Sequence, residues 1–125
     1  MTRPEVAISR FTLQAGDSAV FSLTFDDDVA TLPLLGAGAD GVISVASNEV
    51  PQLMAQLVET RDVTIHNRLL PLLFANFIES NPGPVKAALV KMGIIESDTV
   101  RPPLAPMREE NRKKLEQILK EVGVL

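Results

Sequence analysis

The sequence predicts a helix-rich α/β fold, and three observations carry that reading. In the first half of the 125-residue chain, short runs of β-branched and aromatic residues alternate with stretches whose apolar residues recur at helical spacing. Those strand runs are continuously apolar, as parallel strands covered by helices are. After Thr60 the apolar residues keep a helical period, so helices dominate the second half.

Residues 4–14 have a weak helical period and are expected to form a short helix packed on the first strand. Residues 19–25, AVFSLTF, read as a buried strand. Asp26, Asp27 and Asp28 follow it, where carboxylates cap a helix and complement its dipole. That helix turns Val29, Leu32 and Leu35 inward, with Leu34 beside them. It closes near Gly36, Ala37 and Gly38, where glycine can take the left-handed C-cap conformation. Residues 41–45, GVISV, form the second strand. Ser47 or Asn48 then stands where it can cap a helix over 51–58, whose inner face carries Leu53, Met54, Leu57 and Val58.

From Val63 to Ile78 a broad apolar face, including Leu69, Leu72, Leu73 and Phe77, predicts one long helix. Pro71 removes a backbone donor inside it and predicts a kink or local break. Asn81, Pro82 and Gly83 make a turn, and Pro84 opens a helix through Met92 that Gly93 closes. Residues 101–106, RPPLAP, read as an extended linker. Residues 108–122 form an amphipathic helix with Leu115, Ile118, Leu119 and Val122 on one side, ended by Gly123. On its wet face Glu109 and Glu110 precede Lys113 and Lys114 by four residues, an order worth only about 0.2–0.5 kcal/mol per pair. Residues 1–59 and 60–125 thus differ in character, and the chain length suits one folding unit for both.

Composition removes several function classes. A net charge of −4 lacks the basic footprint that binding nucleic acid needs. With no cysteine and His66 as the one histidine, no metal centre is expected. No apolar run approaches the roughly 20 residues of a membrane helix, and residues 1–5 carry no signal core, so no membrane partner and a cytoplasmic location are expected. His66 could serve as a general base, but without a nucleophile motif beside it an ordinary helix position explains it better. Asp26, Asp27 and Asp28 at a strand end could be an acid–base or metal cluster, though helix capping accounts for them more simply.

The segments GADGVISVASN (38–48), RLLPLLFANFIESNPGPVKAAL (68–89) and LAPMREENRKKLEQILKEVGVL (104–125) resemble the dihydrodipicolinate synthase and N-acetylneuraminate lyase family, the synthase branch most closely. The likeness runs from about Ala19 to Leu125, and the string Asn81 to Lys86 is similar to the family's Asn-Pro-x-Pro-x-Lys turn. The resemblance implies the last two βα units of a TIM barrel followed by a C-terminal helical extension, a fragment of a fold that needs about 250 residues. It implies an aldol condensation of pyruvate with aspartate semialdehyde in lysine biosynthesis, using a strand lysine that forms a Schiff base, a proton-relaying tyrosine and a threonine-rich carboxylate loop.

Those groups would precede the region seen here. Independently of any alignment, the five lysines, Lys86, Lys91, Lys113, Lys114 and Lys120, all fall on predicted helices, and the chain has no tyrosine. No catalytic residue, metal ligand or cofactor is therefore assigned. Lys86 sits in the most distinctive string, where Val85, Ala88 and Leu89 point to a structural role. The resemblance carries over a single substrate-binding position, the backbone of Ile43, which in relatives lines the pyruvate pocket. Two departures stand out. Thr24-Phe25-Asp26-Asp27 replaces a common Ser-Gly-Asp-Asp, and the connection from Leu57 to Arg68 looks shorter, which would fuse or re-aim the helices around 60–62.

Two strands of a barrel have unpaired edges, so the expected partner is a second copy of the chain, most simply in a homodimer. The leading expectation is a truncated synthase-like protein, inactive alone. The alternatives are one half of a split class I aldolase completed by a complementary barrel half, or a small-ligand module with a pocket between the strand ends and the long helix.

Overall fold

The computed structural model describes Thr24, Phe25 and residues 27–125. The expected helix over 4–14 and most of the first strand lie outside the described residues. What remains of that strand, β1 (Thr24–Phe25), pairs in parallel with β2 (Gly41–Val42), Thr24 opposite Gly41 and Phe25 opposite Val42. Between them a 3-10 turn at Asp28–Ala30 runs into the short helix α1 (Thr31–Gly36). The strand–turn–helix–strand order is the one the apolar pattern predicts.

The second strand is shorter than expected. Pairing stops at Val42, and by Val45 the backbone is helical, with φ −72° and ψ −47°, opening a 3-10 turn over Ala46–Asn48. The reason lies across the sheet: the Asp28 carboxylate takes the Ala46 amide at 2.9 Å and bends the chain away from an extended course. Ser47 and Asn48 do not cap the next helix. Ser47 Oγ donates to the Ser44 carbonyl and Asn48 Nδ2 to the Val45 carbonyl, so both secure the turn. The helix itself, α2 (Pro51–Thr60), starts after Val50 with no side-chain cap and with proline in its first turn, where a missing amide costs little.

The long apolar stretch resolves into α3 (Val63–Ala75), which starts where its pattern suggests and ends three residues before Ile78. The helix continues through Pro71 without a break. The carbonyl that Pro71 leaves without a helical donor belongs to Asn67, an exposed residue that water can serve. Helices α2 and α3 are re-aimed rather than fused. Arg61 between them is left-handed, with φ 55°, and Asp62 then caps α3 by accepting from the Thr64 amide at 2.7 Å. A left-handed non-glycine residue carries a steric cost of about 1–2 kcal/mol. Arg61→Gly should therefore raise the unfolding free energy by up to about 1 kcal/mol, part of the gain being offset by the more flexible unfolded chain. Urea denaturation would register this as a higher midpoint at unchanged slope.

The remaining helices follow their punctuation. Helix α4 (Gly83–Lys91) begins at the Pro84 turn, and Gly93, at φ 73°, lets the chain leave it. Helix α5 (Glu109–Val122) ends at Gly123 with φ 86°. One apolar core binds these pieces. Leu57 and Met54 of α2, Leu69, Leu72 and Leu73 of α3, Ala87 and Ala88 of α4, and Leu115, Leu119 and Val122 of α5 pack together, with Ala46 and Val50 from the turn after β2. The core thus draws on both halves of the chain, and helices supply nearly all of it. Surface charge adds little, although Lys91 and Lys120 both reach Glu116, at 2.8 and 2.9 Å, and hold its carboxyl down at about 2.

Candidate functional site

The carboxyl ends of the two parallel strands are where the chain gathers its polar side chains. At the end of β1, Asp27 accepts from the Val29 amide at 3.1 Å and caps the 3-10 turn. Asp28, only 1% exposed, points the other way and braces the turn after β2. The Asp26–Asp28 run therefore divides into a cap and a brace, Asp26 lying outside the described residues. Among the described residues no group of three or more histidine, cysteine, aspartate or glutamate side chains could hold a metal ion.

The turn after β2 is heavily bonded to itself. Ser44 Oγ accepts from the Ser47 amide at 2.9 Å while Ser47 Oγ donates to the Ser44 carbonyl at 2.8 Å. Ile43 stands just before this fixed turn, with its side chain 65% exposed. Against the turn lies a shallow depression of about 400 Å³ between β2 and α2, lined in part by Ser44, Ser47, Met54 and Glu59. The small-ligand alternative places a pocket between the strand ends and the long helix, whereas this depression is lined from β2, the turn after it and α2.

Glu49 and Asn76, to which no sequence motif pointed, complete the constellation. Glu49 is 3% exposed and Asn76 fully buried, and Asn76 Nδ2 donates to Glu49 Oε2 at 2.6 Å. This bond ties the turn after β2 to the end of α3. Burial pushes the Glu49 carboxyl up to about 7, opposed by the hydrogen bond from Asn76 and reinforced by the charge of Asp28. An apolar pattern search is blind to such a pair, since the two residues are 27 positions apart and neither belongs to a periodic set.

The other candidate groups lie elsewhere. His66 sits half-buried on α3 with Nδ1 buried and unpaired. Lys86 and Lys91 are on α4, and Lys113, Lys114 and Lys120 on α5. Lys86 Nζ donates to the Thr99 carbonyl, which fastens the segment after α4, and Lys114 pairs with Glu110 at 2.6 Å. A second depression of about 400 Å³ opens between the end of α3 and the linker. Its Glu79 is already engaged, accepting from Asn111 Nδ2 at 2.7 Å and the Arg108 amide at 3.0 Å, which together hold its carboxyl below the usual range. No helix of the described residues is long and apolar enough to cross a membrane.

Comparison with known proteins gives this geometry a context. Residues 7–122 match the model of the dihydrodipicolinate synthetase family. The chain is 47% identical over 112 residues to the 4-hydroxy-tetrahydrodipicolinate synthase of Koribacter versatilis (strain Ellin345), covering 84% of this chain and 37% of that one. Among solved structures it is similar to dihydrodipicolinate synthase from Thermotoga maritima, with TM-score 0.76 and 42% identity over 84% of this chain and 38% of the other. A monomeric dihydrodipicolinate synthase variant superposes with TM-score 0.80 at 42% identity, again over 84% and 37%. The chain thus spans just over a third of the length of these relatives. Its parallel pair and helices correspond to part of a TIM barrel with helical cover, and the described residues close no barrel.

Proposed function

The chain belongs to the dihydrodipicolinate synthetase family, and from that premise we propose that its 125 residues form a synthase-like portion that does not catalyse the family's aldol condensation by itself. One observation carries this reading. All five lysines project from α4 and α5, none lies on β1 or β2, and tyrosine is absent from the chain. A Schiff-base lysine requires a desolvated position beside its substrate. Lys91, Lys113, Lys114 and Lys120 are exposed, and Lys86 spends its amine on the Thr99 carbonyl. The region's part in the family reaction is then to present a rigid turn, with Ile43 at its head, to a pyruvate pocket whose reactive groups come from elsewhere.

Self-association belongs to the same proposal. The β1–β2 pair has two open edges among the described residues, and Ile43, Phe74 and Phe77 are about half or more exposed. A homodimer covers such surface most simply. A second reading, completion by a separate chain that supplies the rest of a barrel, is favoured by the exposure of Ile43 at the strand end.

Incubation with pyruvate and borohydride, read by intact mass, tests the central point. The unmodified mass is expected. A single covalent adduct, mapped by peptide mass, would overturn the proposal and identify the recruited lysine, with Lys86 the first to inspect. Light-scattering mass is expected to give a dimer at micromolar concentration; a stable monomer would remove the self-association.

A further inference from the structure

Asp28 and Glu49 are two buried carboxyls, 1% and 3% exposed, facing one turn of chain. Each has one oxygen satisfied by a single donor, Asp28 Oδ2 by the Ala46 amide and Glu49 Oε2 by Asn76. The other two oxygens, Asp28 Oδ1 and Glu49 Oε1, are buried without a partner, as are Thr31 Oγ1 and Asn76 Oδ1. The two acids are joined through Ala46, whose amide serves Asp28 while its carbonyl accepts from the Glu49 amide at 3.0 Å. Among the described residues no lysine, arginine or histidine is paired with either. Two carboxylates taken out of water without a cation cannot both stay ionised at modest cost.

We propose that Glu49 carries a proton that Asp28 accepts, Glu49 Oε1–H donating to Asp28 Oδ1, so that the turn following Ile43 is locked to the turn after β1 and to the end of α3 and released when that proton is lost. One proton satisfies both unpaired carboxyl oxygens at once. On release it passes to solvent and leaves two like charges in a dry site, where repulsion pushes the turn after β2 away from Asp28. Asp28 is the charged group that acts on Glu49 through space; α2, α3 and α4, which surround this region, present to Glu49 the neutral amide of Asn76. Asp27 is turned to the Val29 amide.

The direction of the pH effect follows from Glu49 holding its proton to about 7 in the folded chain against 4.5 for the free side chain. Stability from this group is complete below pH 4.5, and it is lost as the pH rises through about 7. The wild-type chain should therefore melt roughly 10 °C lower at pH 8.5 than at pH 5.5. Glu49→Gln, which keeps a neutral donor in place, should flatten that profile and melt above wild type at pH 8.5. Asp28→Asn, which can still accept from Ala46, should move the midpoint to lower pH. Infrared difference spectra at pH 6 should show a protonated-carboxyl stretch in wild type that Glu49→Gln lacks. A Glu49→Gln profile parallel to wild type, or no such stretch, overturns the proposal. So does stabilisation of wild type by calcium or sodium at pH 8.5 that Glu49→Gln abolishes, because the four oxygens would then be ligands of a cation.

Discussion

Replacing Leu119 with alanine should lower the unfolding free energy by about 2–5 kcal/mol, the range for a buried leucine whose neighbours cannot close the gap. Leu119 is fully buried on α5 and belongs to the cluster that unites α2, α3, α4 and α5. The elements around it are drawn from a stretch running from Ala46 to Val122, so no local rearrangement refills the space. Phe74→Ala is the control. Phe74 is 62% exposed on α3, and its truncation should cost less than about 0.5 kcal/mol in a monomer. Urea denaturation of both variants measures the contrast. Because the proposed homodimer covers this aromatic face, the loss at Phe74 should grow with protein concentration; a loss below about 0.5 kcal/mol at every concentration would remove Phe74 from the dimer contact.

Asn76→Ala is expected to cost about 2–3 kcal/mol at neutral pH, more than an average polar truncation, because it strands a buried acceptor. Asn76 Nδ2 is the donor that Glu49 Oε2 receives, and the amide nitrogen has no solvent to replace it. Its hydrogen bond holds the Glu49 carboxyl down, so its loss should also move the Glu49 titration to higher pH. Thermal melts across pH 5 to 9 read both effects. An unchanged titration with lowered stability would mean that Asn76 acts through packing alone.

Where a residue's role is local, the chain announces it. The aspartate after β1 caps its turn, Gly93 and Gly123 take the left-handed conformations that end α4 and α5, and Leu115, Leu119 and Val122 face inward at their helical spacing. The roles that escape are those fixed by distant partners. Val45 looks like strand, yet the Asp28 carboxylate bonds the amide of Ala46, 18 residues on from it, and ends the extended course. Ser47 and Asn48 have the right chemistry for a helix cap but are spent on the turn before it. Arg61, an unremarkable charged residue in sequence, absorbs the left-handed link between α2 and α3. The candidate site divides the same way. Ile43 was reached through a motif likeness, whereas Glu49 and Asn76 acquire meaning only when α3 comes to rest beside the turn.

Arg68 shows what such reach implies for the order of events in folding. Its Nη2 donates to the Val122 carbonyl at 2.7 Å across 54 residues, and it lies 3.3 Å from where a side chain on Gly123 would begin. A cation at the end of α5 supports carbonyls that the helix cannot satisfy itself. Because that cation comes from α3, the last turn of α5 cannot be finished until the two helices have docked. Slow amide exchange at residues 119–123 would then be a clock for assembly: protection there should appear with, and never before, protection in the middle of α3.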